Sequence, residues 1–215
     1  MVQIFYSYIT KDKHELLLKK IIPGFSNDFQ KKILRYRRWQ DAQSSLLGRM
    51  LLDNGLSKLN KELDIKNLHY TSYNKPYFEG EKVKFNISHS GDIVVCAISE
   101  IDEIGIDIEI IQDIEIENFK QQMTNIEWQR VVSSSNIKNA FFEYWTQKEA
   151  VMKSHGNGLS IPLKSFEIHN GQTKIEEDVF FLKEIQLDKN YKCHIALKNK
   201  IGPIDFKSKL VNFFY

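Results

Sequence analysis

Long apolar runs are missing from this 215-residue chain. No stretch approaches the roughly 20 consecutive apolar residues that a membrane-crossing helix requires, so no membrane span is expected. Charge of one sign is missing too. The formal net charge is +2, which gives no ground for a nucleic-acid partner, and any anion site has to be local. Cysteine is scarce. Cys96 and Cys193 stand far apart with no CxxC or Cys/His spacing, which excludes a disulfide framework and a zinc site and fits a reducing compartment. No GxSxG elbow is present, so a serine hydrolase ranks low. Residues 1–8 lack a basic start and a sustained apolar stretch, and polar Lys11-Asp12-Lys13-His14-Glu15 follows at once, so a cytoplasmic protein is expected. What the chain does have is 42% hydrophobic and 27% charged residues, enough for a real core in one large domain or two smaller ones.

The stretch with the clearest pattern is Ile104-Gly105-Ile106-Asp107-Ile108-Glu109-Ile110. Isoleucine at every second position predicts a strand with four isoleucines on one face and Gly105, Asp107 and Glu109 on the other. Two carboxylates beside a glycine make either a solvated outer face or a cradle for a hard cation such as Mg²⁺. Gly105 reads as clearance for a ligand beside the acids, which predicts that Gly105→Val blocks activity and leaves the fold largely intact.

Upstream, apolar spacing from Asp28 to Leu52 predicts one long helix with Asn54-Gly55 as its stop. Lys31, Lys32, Arg35, Arg37 and Arg38 give it a basic face, either solvated or holding a polyanion. Asn74-Lys75-Pro76 marks a turn. Val83 to Ile87 and Ile93 to Ser99 read as a hairpin, the second strand apolar enough to be buried on both faces. Ser88-His89-Ser90-Gly91-Asp92 would form its polar tip, suited either to an oxyanion or simply to satisfying the turn. Downstream, residues 112–124 read as loosely helical and 125–132 as a short helix presenting Glu127. A helix over 139–154 places Trp145, Glu149 and Lys153 on one face at i, i+4, i+8. Glu149 and Lys153 form there either an ordinary surface pair or part of a site. Strands are expected over 165–169, 179–187 and 191–197, with an edge strand from the tail at 204–215.

These elements predict an α+β fold: a pseudo-twofold pair of similar lobes, each a small mainly antiparallel sheet on a long helix. The expected lobes are residues 1–102 and 103–215, with the site in the cleft between them.

Three segments then combine. Phe85-Asn86-Ile87-Ser88-His89-Ser90, Gly105-Ile106-Asp107-Ile108-Glu109 and Trp145-Thr146-Gln147-Lys148-Glu149-Ala150 with Lys153 and Gly158-Leu159 resemble, in order and spacing, the Sfp-type 4′-phosphopantetheinyl transferases. Asn74-Lys75-Pro76 resembles that family's GKP turn with the glycine replaced, and Asp41-Ala42 to Gly48 fits its long N-terminal helix. The resemblance implies a monomer that binds coenzyme A and Mg²⁺ in its cleft and transfers the 4′-phosphopantetheine arm to a serine of an apo acyl or peptidyl carrier protein, releasing 3′,5′-ADP. It implies Asp107, Glu109 and Glu149 as metal ligands with Glu127 as a further acidic position, Glu149 as base either directly or through a metal-bound water, and Lys153 as the phosphate clamp. Lys148 belongs to the same motif. The nucleotide end would meet Lys75 and Pro76, and the 3′-phosphate Ser88, His89, Ser45, Lys32 and Lys31. Ser44 departs from the family, which often has arginine there. The carrier is expected near residues 112–130. Competing readings are a two-carboxylate Mg²⁺-dependent phosphohydrolase, a binding scaffold without turnover, and the shorter trimeric holo-acyl-carrier-protein synthase class.

Overall fold

A computed structural model describes residues 2–199 and 205–213. In chain order its regular elements are β1 (Val2–Tyr8), α1 (Lys11–Lys20), α2 (Asn27–Leu34), α3 (Trp39–Lys58), β2 (His69–Tyr70), β3 (Pro76–Tyr77), β4 (Lys84–Ser90), β5 (Ile93–Ser99), β6 (Ile104–Ile110), α4 (Asn125–Val132), α5 (Ile137–His155), β7 (Gln172–Ile175), β8 (Asp178–Glu184), β9 (Tyr191–Lys198) and β10 (Phe206–Leu210). Short 3₁₀ turns include Ile65–Asn67 and Ile116–Gln122.

Two four-stranded sheets carry the α+β architecture, ordered β10-β1-β5-β4 and β6-β9-β8-β7. All their pairings are antiparallel except β1 with β10. Alternation along β5 explains the layering. Val94, Cys96 and Ile98 face α3 together with Leu46, Leu47, Leu51 and Leu52. Ile93, Val95 and Ala97 face the other way, onto Ile104, Ile106 and Ile108 of β6 and Ile195 of β9. β5 is buried along its whole length because it has a core on each side. The second sheet repeats the plan, with Ala150, Val151 and Met152 of α5 packed over Phe180 and Ala196. The order is therefore helix, sheet, sheet, helix.

The sheets join at β4 and β6. The outer edge of β6 has no strand beside it in its own sheet, so its N–H groups need other acceptors. Side chains of β4 supply them: Ile106 N donates to Asn86 Oδ1 at 2.9 Å, Ile108 N to Ser88 Oγ at 3.4 Å, and Ile110 N to Ser90 Oγ at 3.1 Å. Period two on one strand meets period two on the other.

Several local expectations change. The helix over 28–52 is two helices. Ser26 caps α2 by accepting from Phe29 N, residues 35–38 break the pattern, and α3 then runs past Gly55 to Lys58. Gly55 is no stop, because a Cβ there would lie 2.4 Å from Ile98 Cδ1 and 2.8 Å from Phe5 Cε2. Ser88, His89 and Ser90 belong to β4, paired with β5, and Gly91-Asp92 alone makes the turn. Residues 165–169 form no strand; β7 comes later, after the turn at Asn170-Gly171. The tail does supply an edge strand, and it crosses back to pair with β1, so the 103–215 segment lends a strand to the first sheet. Residues 204, 214 and 215 lie outside those described.

Gly105 also needs a different explanation. A Cβ there would fall 2.1 Å from the Ala150 carbonyl oxygen and 2.4 Å from Ser154 N. The glycine lets the backbone of α5 lie directly on β6, and its face is filled by helix rather than by ligand space. Gly105→Ala is therefore expected to lower stability by roughly 3 kcal/mol, the upper end of ordinary overpacking costs, as read from the denaturant midpoint. An unchanged midpoint would contradict this packing account.

Candidate active site

β4, β6 and α5 converge on one cavity of about 320 Å³, lined by Ile87, Ser88, His89, Asp107, Glu109, Trp145, Glu149 and Lys153. Close contact of α5 with β6 at Gly105 sets the helix so that one face, carrying Trp145, Glu149 and Lys153, looks onto the acids. Asp107 is 2% exposed. Its Oδ1 accepts from Lys153 Nζ at 2.5 Å and from Ser88 Oγ at 3.0 Å, and Lys153 Nζ also reaches Ser88 Oγ at 3.1 Å. Glu109 accepts from Ser90 Oγ at 2.6 Å. Serines 88 and 90 thus serve the β6 backbone and its carboxylates at once.

The electrostatics are those of excess negative charge out of water. Burial raises the pKa of Glu149, and Asp107 adds to the rise against the lowering by Lys153. Burial likewise raises Glu109, with Asp107 and Glu149 adding and Ser90 opposing. His89 moves the other way, pushed down by burial and by Lys153. Asp107 Oδ2 is buried with no hydrogen-bond partner among the described residues. An orphaned carboxylate oxygen next to two carboxylates that resist ionisation is short of positive charge. Among the described residues no group of three or more His, Cys, Asp or Glu is gathered tightly enough to hold a metal ion as placed, and the Lys153 ammonium sits on Asp107 instead.

A neighbouring cavity of about 240 Å³ shares Ile87 and Lys153 with the first and is lined by Lys75, Pro76, Asn86 and Gly156 among others. Here the Lys75 ammonium is engaged across the lobes, donating to Glu103 Oε2 at 2.8 Å and to the Ser154 carbonyl at 3.2 Å. Burial lowers its pKa and Glu103 partly restores it.

Other expected residues fall elsewhere. Glu127 does not join the acids of the cleft. Its Oε1 pairs with Lys148 Nζ at 2.6 Å, its Oε2 accepts from Thr124 N at 3.0 Å in a capping box, and both residues line a separate cavity. With both oxygens committed, Glu127 has a structural use, and Lys148 ties α5 to the Leu163 and Phe166 carbonyls. Lys31 is exposed and 4.0 Å from Asp28. Lys32 lines a third cavity, in the first lobe. Ser45 is half-buried on α3, and Ser44 beside it is buried. Asn86 and Ser90 were not singled out from the sequence as functional; the signal was small polar residues at period two on an otherwise apolar strand.

Comparison with known proteins agrees with this arrangement. Residues 103–200 match the 4′-phosphopantetheinyl transferase superfamily, and residues 13–101 match the 4′-phosphopantetheinyl transferase N-terminal family. The chain is 31% identical over 205 residues to the 4′-phosphopantetheinyl transferase gsp of Aneurinibacillus migulanus, covering 90% of this chain and 84% of that protein. The chain belongs to the Sfp-type 4′-phosphopantetheinyl transferase family. It is also 29% identical over 216 residues to the transferase Sfp of Bacillus subtilis, covering 95% and 96%. Against the L-aminoadipate-semialdehyde dehydrogenase-phosphopantetheinyl transferase of Xenopus laevis it is 28% identical over 190 residues, covering 74% and 63%. A transferase of this family uses coenzyme A, and the two matched segments meet at residues 101 and 103, where β5 hands over to β6. No helix among the described residues is long and apolar enough to cross a membrane.

Beneath α5, His194 of β9 bonds to the helix. Thr146 Oγ1 donates to the Phe142 carbonyl at 2.7 Å, which assigns the 2.8 Å contact with His194 Nδ1 to a proton on Nδ1. Burial pulls the His194 pKa down from 6.5 to about 4. The unfolded chain therefore takes up this proton near pH 6.5 and the folded chain only near pH 4. Acidification through that window should remove roughly 3 kcal/mol of stability. Denaturant midpoints between pH 7 and pH 4 should fall more steeply for the natural chain than for His194→Gln. Equal slopes would contradict the assignment.

Proposed function

We propose that this chain moves the 4′-phosphopantetheine arm of coenzyme A onto a serine hydroxyl of an apo acyl or peptidyl carrier protein, releasing 3′,5′-ADP. The observation that carries the reading is the single cavity holding Asp107, Glu109, Glu149, Lys153, Ser88 and His89, continuous through Ile87 and Lys153 with the space at Lys75 and Pro76. Its charged groups suit a diphosphate, with the space at Lys75 and Pro76 left for a nucleotide. The serine oxygen bonds to the phosphorus that bears the pantetheine arm, and the bond from that phosphorus to the bridging oxygen breaks. Glu149 takes the serine proton; burial raises its proton affinity towards that of an effective base. Lys153 neutralises the charge that builds on the departing 3′,5′-ADP. Ser88 Oγ donates to Asp107 and accepts from Lys153, so it can hold the carboxylate in place while the ammonium serves the phosphate. His89 keeps a neutral imidazole at the cavity wall, able to donate one hydrogen bond to a phosphate oxygen.

Mg²⁺ fits the acids of this cavity. Asp107, Glu109 and Glu149 offer hard oxygen donors, and Asp107 Oδ2 is the buried atom without a partner. Bound there, Mg²⁺ would supply positive charge to the diphosphate. Residues 1–102 and 103–215 would act as two lobes of a cytoplasmic monomer, with protein carriers rather than nucleic acid or membranes as partners.

Incubation with coenzyme A, Mg²⁺ and several apo carriers should add the mass of one phosphopantetheine to a carrier. Glu149→Gln should slow that transfer by roughly 10²- to 10⁴-fold, the usual span for loss of a general base, and chelation of Mg²⁺ should stop it. Failure to modify any carrier, with hydrolysis of coenzyme A instead, would favour a phosphohydrolase.

A further inference from the structure

Three cations line a cavity of about 480 Å³ in the first lobe, walled by α2, α3 and residues 65–74. Arg49 of α3 is one of them. It is 9% exposed, and among the described residues no carboxylate pairs with it. Nη2 donates to the Tyr70 hydroxyl, while Nη1 is buried with no hydrogen-bond partner. The rings of Phe29 and Tyr70 lie 5.3 and 5.8 Å from the guanidinium carbon. Lys32 and Lys66 line the same cavity, and its one carboxylate, Asp28, is 99% exposed and 4.0 Å from Lys31.

A buried guanidinium without a counter-ion is costly to the fold, and removing such a charge tends to stabilise a protein. A planar fork between apolar rings, with two ammonium groups at the rim, is suited to bidentate recognition of a phosphate. We infer that Arg49, with Lys32 and Lys66, forms a phosphate-binding site in the first lobe, outside the acidic cleft. The cavity shares Asn74 with the cleft's nucleotide end. The phosphate has two possible sources: a monoester of coenzyme A reaching past Asn74, which rests on the transfer reading, or a separate phosphorylated small molecule, which does not.

Thermal melts with inorganic phosphate, against chloride at equal ionic strength, test the site. Phosphate should raise the melting temperature of the natural chain and leave Arg49→Met unmoved. Without phosphate, Arg49→Met should melt no lower than the natural chain. Arg49→Lys, which keeps the charge and loses the fork, should need several-fold more phosphate for the same shift, and it carries the test should the methionine variant fail to fold. Calorimetry with coenzyme A and 3′-dephospho-coenzyme A separates the sources. A preference of tenfold or more for coenzyme A that vanishes in Arg49→Met assigns the site to the coenzyme. An unchanged preference with loss of the phosphate response assigns it to another ligand. Equal phosphate responses in the natural chain and the variants, with unchanged coenzyme preference, would overturn the inference. No binding of coenzyme A to the natural chain would overturn the transfer reading while leaving the phosphate melts to decide this one.

Discussion

A strand edge bonded by side chains instead of by another strand is what the rest of the molecule depends on. Asn86, Ser88 and Ser90 take the outward N–H groups of Ile106, Ile108 and Ile110 in β6. A neighbouring strand would have done the same with its carbonyls and made one continuous sheet. Because side chains do it, the two sheets stay separate, their inner faces close over the shared isoleucine core, and the outer faces each take a helix. The same serines reach over to Asp107 and Glu109. Joining the lobes and positioning the acids are one set of hydrogen bonds, so the cleft cannot open without leaving buried backbone donors unmet, at about 1–3 kcal/mol each.

The second constraint is charge. Asp107, Glu109 and Glu149 share a cavity in which burial and mutual repulsion raise the proton affinity of the two glutamates. Among the described residues, Lys153 is the cation that offsets them. Such a site is poor as a stabilising ion pair and well suited to a ligand that arrives with cation and phosphate together. Arg49 poses the opposite problem in the first lobe, a buried cation without an anion. The two regions have complementary deficits, and the cavity between them shares Asn74 with one and Lys153 with the other.

Much of this was legible in the sequence because it is local. Isoleucine alternation gave β6 and its acidic face, and the i, i+4, i+8 spacing put Trp145, Glu149 and Lys153 together on α5. What escaped was set by tertiary neighbours. Ser88 and His89 have turn-like composition, but cross-strand pairing to Val95 and Val94 holds them in β4. Glu127 looks like one more acid, and only the position of Lys148 shows that it is already paired. Gly105 resembled clearance for a ligand until the helix appeared on top of it. β10 joins β1 across almost the whole chain length, a parallel pairing that no local pattern encodes.

Under the proposed reading, Asp107, Glu109 and Glu149 would hold Mg²⁺, and the Lys153 ammonium now on Asp107 would serve the phosphate. A crystal structure with coenzyme A and Mg²⁺ tests it most directly. The account predicts a cation on Asp107 Oδ2 with Glu109 or Glu149, the diphosphate against Lys153, and the 2.5 Å contact between Lys153 and Asp107 lost. A coenzyme bound away from this cavity, with that contact intact, would contradict it.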